Sequence, residues 1–187
     1  MTEFLLIRHG QTDWNLEGKY TGQSDIPLNE TGRAQAHEAA SQLRTDPPDI
    51  IYSSDLLRAF NTAKIIAADL GMKIHQDARL REIHQGAWEG LHFNEIKSRF
   101  ADEFAAREDN PLEVAPPGGE TVGQVQARVL EAVKEIIKAH PSGRVAIVSH
   151  GLSLAIIKAY ALERPIQEVW DLIPPNAVVE SVFIAAD

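Results

Sequence analysis

Two short apolar runs in this chain end alike. Leu5-Leu6-Ile7 leads into Arg8-His9-Gly10, and Ala146-Ile147-Val148 leads into Ser149-His150-Gly151. Each reads as a buried strand stopped by a turn. If the two strands are neighbours in a parallel sheet, His9 and His150 meet at their carboxyl ends, where open α/β sheets place ligands. Gly10 and Gly151 let the backbone turn and let a ligand come close. Two imidazoles at one point could hold a metal or do nucleophilic and acid–base work. Their neighbours decide between these. Arg8 sits beside His9, and Arg58 starts a helix after another short strand. Guanidinium groups repel a cation and clamp phosphate oxygens in bidentate fashion. The set therefore describes an oxyanion pocket, with neither a metal nor a cofactor expected.

The chemistry of such a pocket has three parts. Neutral His9 attacks phosphorus and becomes a phosphohistidine. Arg8, Arg58 and His150 neutralise charge on the equatorial oxygens. Glu82, which follows a third short strand, donates a proton to the leaving oxygen and then takes one from the attacking water. Glu89 lies close by in sequence and is the rival for that role. For Arg58 the alternative is a structural ion pair, although a cation at a helix start opposes the helix dipole. Trp14 is expected to pack rather than bind. His84 and His92 read as rim residues, and His37, His75 and His140 as surface histidines.

The elements that must position these groups alternate in type. Strands are expected at 3–7, 50–53, 73–76, 145–148 and 178–185, the last on an edge. Helices are expected at 31–43, 55–70, 121–140 and 151–161. In 55–70 the residues Leu56, Phe60, Ala63, Ala67 and Leu70 follow the helical period, and Gly71 suits a C-terminal cap. In 121–140 Thr121 and Gln124 form a capping-box pattern ahead of a Val/Ile stripe. The segment at about 83–119 differs in character. It holds Trp88, Phe93, Phe100 and Phe104 and ends in Pro116-Pro117-Gly118-Gly119, and it reads as an inserted, partly helical lid whose phenylalanines form its own core. The expected fold is α/β: one domain over 1–187, a three-layer α/β/α sandwich with a mixed, mainly parallel sheet and a small inserted lid.

Composition narrows the function classes. The chain has 187 residues, 44% hydrophobic and 24% charged, which suits a soluble globular domain. It has no cysteine, so disulfides, thiolate metal sites and cysteine nucleophiles are excluded. A net charge of −9 argues against nucleic acid or an anionic membrane as partner. No apolar stretch is long enough to span a bilayer, the N-terminus lacks a signal-peptide pattern, and a cytoplasmic location is expected. No dinucleotide fingerprint follows the first strand, and no P-loop motif occurs. The expected partner is a small-molecule phosphate ester. Apolar helix faces would suit a core or a homodimer equally well.

Five motifs, in order, resemble the histidine phosphatase superfamily in its phosphoglycerate mutase-like branch. They are Arg8-His9-Gly10-Gln11-Thr12 with Asn15; Ser54 to Ala59 with Thr62-Ala63; Leu80-Arg81-Glu82-Ile83 with Gly86 and Trp88-Glu89-Gly90; Gly118-Gly119-Glu120-Thr121; and Ser149-His150-Gly151. The resemblance implies that His9 is the phosphorylated nucleophile, that Arg8, Arg58 and His150 complete the phosphate pocket, and that Glu82 is the proton donor. It further implies Asn15 as a phosphate contact, Gly151 as part of the pocket and Gln23 at the substrate mouth.

Phosphatase and mutase are the two readings of that chemistry, with a non-catalytic phospholigand-binding protein as the rival from another class. Only 28 residues separate Glu89 from Gly118, shorter than in the mutases of this family. The stretch between is net acidic, so a second phosphate has no evident receptor in it. A phosphatase is therefore expected, similar to small bacterial broad-specificity and α-ribazole phosphatases. The aromatic residues of the insert would suit an apolar or aromatic leaving group.

Overall fold

The computed structural model describes residues 1–185. Five strands form one sheet: β1 (Thr2–Arg8), β2 (Ile50–Ser53), β3 (Ile74–Gln76), β4 (Arg144–Ser149) and β5 (Val179–Ile184), in the order β3-β2-β4-β1-β5. β1, β2, β3 and β4 run parallel, and β5 pairs antiparallel with β1 at the edge. The α/β sandwich with a mixed, mainly parallel sheet is thus as the sequence pattern predicts.

Strand alternation explains the layers. Phe4 and Leu6 of β1 and Val145 and Ile147 of β4 face one side; Leu5, Ile7, Ala146 and Val148 face the other. The first side is covered by α6 (Val122–Ala139) and α7 (Gly151–Ala161), the second by α2 (Glu30–Leu43) and α3 (Leu57–Leu70). Strands buried on both faces read as continuous apolar runs, which is why β1 and β4 were visible in sequence. Leu6 is fully buried, and truncating it to Ala would cost about 2–5 kcal/mol.

Helix ends follow local chemistry. Thr121 and Gln124 form the expected capping box on α6. α3 begins at Leu57, two residues later than the sequence suggests, because Asp55 is held by Arg81 through two charged hydrogen bonds at 2.7 and 2.5 Å. Leu56 supplies no side-chain cap. The carboxylate of Asp25, far away in sequence, accepts the Leu57 N–H at 2.6 Å instead. The buried stripe of α3 is Ala59, Thr62, Ala63, Ile66 and Ala67, with Phe60 only half-buried. The 55–70 periodicity had put Phe60 in that stripe.

A short helix α1 (Asp13–Glu17) follows β1, closed by a capping box between Thr12 and Asn15. Between β3 and α6 the chain makes two 3-10 turns, Ala78–Leu80 and Gly86–Trp88, and two helices, α4 (Phe93–Arg99) and α5 (Ala101–Asp109). These helices enclose a separate cluster of Trp88, Ile96 and Phe104, with Tyr20, Leu91 and Phe100 packed on it. A further 3-10 segment, Ile166–Leu172, follows α7. Among the described residues no helix is long and apolar enough to cross a membrane.

Candidate active site

The register Arg8↔Ser149 between β1 and β4 sets the next residues, His9 and His150, side by side. Their ring centroids lie 5.3 Å apart at the carboxyl edge of the sheet. The His9 backbone is pinned on both faces. Its N–H donates to the Ser149 carbonyl at 2.9 Å, and its carbonyl accepts from Asn176 Nδ2 at 2.7 Å. Gly10 N–H donates to Thr62 Oγ1 at 3.0 Å, tying the turn to the helix that carries Arg58.

The His9 ring has one consistent hydrogen-bond assignment. Nδ1 lies 2.7 Å from the Gly10 carbonyl, which can only accept, so Nδ1 carries the proton. Nε2 then keeps its lone pair and accepts from Arg58 Nε at 3.2 Å. The ring is 3% exposed. Burial, followed by the cations of Arg58 and Arg8, holds its pKa well below the ordinary histidine value, against a smaller opposing effect of the Gly10 hydrogen bond. A buried, neutral imidazole with one oriented lone pair has the chemistry a nucleophile needs.

Arg58 is 1% exposed and reaches the site from the first turn of α3. Its two terminal nitrogens donate to the Ser24 and Gly22 carbonyls at 2.8 and 2.7 Å. Burial draws its pKa down to about 10, with Glu82, Asp25 and Glu89 pulling the other way. It remains a cation at neutral pH. The structural ion pair weighed for it is not found: no carboxylate lies within 4 Å among the described residues. Arg8 donates through Nη1 to the Pro174 carbonyl at 3.1 Å.

His150 is the N-cap of α7 and is fully buried. Its Nε2 lies 2.8 Å from Ser54 Oγ. Burial, then Arg58, His9, Arg8 and Arg128, hold its pKa well below the usual value. Its Nδ1 is buried and has no partner among the described residues, and the same holds for Nε of Arg8. Buried polar atoms in native proteins are almost always bonded. Two such atoms beside the His9 ring mark a place where a ligand could complete the bonding.

Glu82 stands across the cavity. Its Oε1 accepts from its neighbour's N–H, that of Ile83, at 3.0 Å, and Oε2 accepts from Leu152 N–H in the first turn of α7 at 3.2 Å. The backbone below it is clamped. Arg128 of α6 donates to the carbonyls of Arg79, Arg81 and Glu82 at 2.7, 2.6 and 3.0 Å. Ser149 and Ser153 hydroxyls fix the Leu80 and Arg81 carbonyls at 2.6 and 2.7 Å. Glu89 takes a different part. Its carboxylate accepts from Gln23 N, Gln85 N and Ser24 Oγ, so it organises loops behind the cavity.

The cavity has a volume of about 430 Å³, and Arg8, His9, Asn15, Arg58, Glu82 and Gly151 all line it. A Cβ built on Gly151 would stand 3.2 Å from Ile173 Cγ2, so a side chain here would press on Ile173, with Glu82 Oε2 and Arg8 Cζ in contact at 3.6 and 3.7 Å. Asn15 uses its amide oxygen to cap α1 at 3.1 Å. Gln23 is a departure from expectation. It does not line the cavity; its Nε2 donates to the Glu82 carbonyl at 3.0 Å and to Glu120 Oε2 at 3.3 Å. Lys19, Tyr20, Thr21, Gly22, Trp170 and Ile173 also line the cavity. Asn176, Arg128, Trp170 and Ile173 carried no motif in the sequence. Ser54 and Thr62 lay in recognised motifs without an assigned role.

Among the described residues no three His, Cys, Asp or Glu side chains gather as a metal site. A neutral imidazole, two guanidinium groups and a carboxylate lining one cavity at the carboxyl edge of a mostly parallel sheet suit phosphoryl transfer. The chain belongs to the histidine phosphatase superfamily, branch 1, which matches residues 4–186. It is similar to phosphoserine phosphatase 1 of Hydrogenobacter thermophilus, 31% identical over 177 residues that cover 95% of this chain and 84% of that one. It is also similar to the probable phosphoglycerate mutase GpmB of Enterobacter sp. (strain 638), 34% identical over 165 residues, 88% of this chain and 77% of that one. The crystal structure of the α-ribazole phosphatase from Shigella flexneri superposes with a TM-score of 0.90 at 26% identity, covering 97% of this chain and 90% of that chain.

Proposed function

We propose that the chain hydrolyses small phosphate monoesters through a phosphohistidine on His9, without a metal. The observation that carries the reading is the fixed Nε2 lone pair of His9, set among donors that include the orphaned Arg8 Nε and His150 Nδ1. The phosphoryl group enters with its oxygens toward Arg8, Arg58, His150 and Asn15. Arg58 Nε–H leaves His9 and turns to a phosphoryl oxygen, which frees the lone pair. Nε2 attacks phosphorus, the P–O bond to the leaving group breaks, and Glu82 gives that oxygen its proton. Water then attacks the phosphohistidine, Glu82 takes its proton, and phosphate leaves with His9 restored. The guanidinium groups stabilise charge as it develops on the phosphoryl oxygens.

Ser54 Oγ–H donates to His150 Nε2 in this scheme, so the His150 proton sits on Nδ1, toward the phosphate. The 83–119 segment serves as the lid, its α4–α5 pair standing on the Trp88 cluster.

Phosphate release from nitrophenyl phosphate in excess EDTA tests the reading, with bisphosphoglycerate-primed isomerisation of 3-phosphoglycerate read on the same sample. Brisk release with little isomerisation is expected. Isomerisation without release would make the protein a mutase; neither activity would make it a phospholigand-binding protein.

A further inference from the structure

A second cavity of about 370 Å³ adjoins the first, and Tyr20, Gln85 and Trp170 stand in the wall of both. That volume is within the range that holds an organic ring system. Its walls are aromatic. Trp88 and Phe104 rings lie 5.7 Å apart, and Phe93 meets Phe104 edge-on at 5.3 Å. Half of Phe93 and of Trp170 is exposed, at 45% and 47%, so the compartment is not closed off as a sealed core.

One cation stands in this wall. Arg107 of α5 is 7% exposed, its guanidinium 5.7 Å from the Trp88 ring. Nη1 makes two long hydrogen bonds, to the Val114 and Glu120 carbonyls at 3.3 and 3.4 Å. Nε and Nη2 make none among the described residues, and no carboxylate there comes within 4 Å of the group. A buried charge without a counter-charge is costly, and such groups are ordinarily paired. The net acidic charge count of the insert conceals this buried cation. Exposed Glu108, on the same wall, disfavours a doubly charged ligand.

We infer that this compartment takes the leaving group of the ester, and that the substrate is the phosphate of an alcohol with a flat apolar body ending in a carboxylate that Arg107 binds. The inference rests on the phosphatase reading, which supplies the phosphate end. The shared residues put the second cavity beside the first, where the leaving group of a bound ester would extend. Aromatic faces pack the body, and Arg107 offers two adjacent N–H donors to a single carboxylate.

The test compares two esters of equal leaving ability, the phosphate of 4′-hydroxybiphenyl-4-carboxylic acid and that of its methyl ester, with nitrophenyl phosphate as reference. The wild-type protein is expected to favour the acid in kcat/KM by roughly 10- to 100-fold, the value of a charged hydrogen bond. Arg107→Gln should bring the ratio toward one, and Arg107→Lys should restore part of it. A wild-type ratio of one or below, or a ratio unchanged in Arg107→Gln, would overturn the inference. Should Arg107→Gln fail to fold, Trp170→Ala serves: the biphenyl-to-nitrophenyl ratio must fall, and an unchanged ratio overturns the compartment. If no ester turns over, the phosphatase reading fails by itself. The compartment is then judged by titrating the free biphenyl acid against tryptophan fluorescence. Quenching that Arg107→Gln abolishes supports it, and no quenching overturns it.

Discussion

His9 and Arg58 are joined by a 3.2 Å hydrogen bond from guanidinium Nε to imidazole Nε2. The bond requires an unprotonated Nε2, the nitrogen proposed to attack phosphorus. It also places the cation where charge on a transferred phosphoryl group will appear. Asp25 caps the helix that carries Arg58, and the Gly22 and Ser24 carbonyls hold its other nitrogens. The terminal nitrogens of Arg58 are therefore held in place, and only its Nε–H has to turn from His9 to a bound phosphoryl oxygen in the proposed reaction.

His9→Ala removes the nucleophile and is expected to lower kcat by at least about 1,000-fold. In the unmodified protein, turnover of labelled ester quenched in alkaline detergent should yield an acid-labile, alkali-stable phosphoramidate on His9. Residual activity of the variant above one-tenth of the parent would remove His9 from this role.

Stability should fall on mild acidification. His9 and His150 both have folded pKa values held well below the free value of about 6.5. As pH drops through about 6.5 the unfolded chain takes up protons that the folded chain refuses. Unfolding free energy then falls by up to about 1.4 kcal/mol per pH unit for each imidazole, until the lowered folded values are reached. Urea midpoints at pH 7.5, 6.0 and 5.0 measure this. His9→Gln should show a shallower slope; equal slopes would mean that His9 is protonated in the fold.

How far the sequence foretold the site follows from what each residue needed. His9, His150 and Arg58 were legible because each sits at the end of a strand or the start of a helix, where apolar runs break into polar motifs. The sandwich was legible because β1 and β4 are apolar on both faces. α1 was not, since five residues with no buried side chain carry no periodicity. Arg128 looked like an ordinary polar position of α6, and its three carbonyl partners come from a turn some 47 residues away. Gln23 was placed at the mouth by resemblance, but its amide reaches the Glu82 carbonyl, a partner that only the folded loop supplies. The unpaired Arg107 was hidden inside an acidic segment, because summed charge says nothing about burial.

Glu82→Gln should separate leaving groups. An alkyl alkoxide needs a proton as the bond breaks, and nitrophenolate does not. The variant should lose about 10²–10⁴-fold on alkyl phosphates and much less on nitrophenyl phosphate. Arg128→Met should show the same pattern more weakly, since it loosens the backbone under Glu82 rather than removing the acid. Parallel losses across leaving groups would deny Glu82 the acid role and Arg128 its positioning role.

The turn that carries His9 rests against the first turn of α2, and glycines make the contact. A Cβ built on Gly10 would lie 2.3 Å from the Gly32 carbonyl oxygen, and one on Gly32 would lie 2.1 Å from the Gln11 carbonyl oxygen. Both obstacles are backbone, so neither can swing aside. Gly32 sits outside the cavity, yet Gly32→Ala must push residues 10–11 away from α2 and disturb the Gly10 bonds to His9 and Thr62. Overpacking of this kind costs about 1–3 kcal/mol. At roughly 2–4 °C per kcal/mol for a chain of this size, the melting temperature should fall by several degrees. Activity should fall further than the folded fraction does, because the His9 ring loses its fixed orientation. Melting curves beside kcat on nitrophenyl phosphate make the comparison. A variant with unchanged melting temperature and full kcat would show that the turn tolerates displacement, and that the His9 lone pair is held by Arg58 alone.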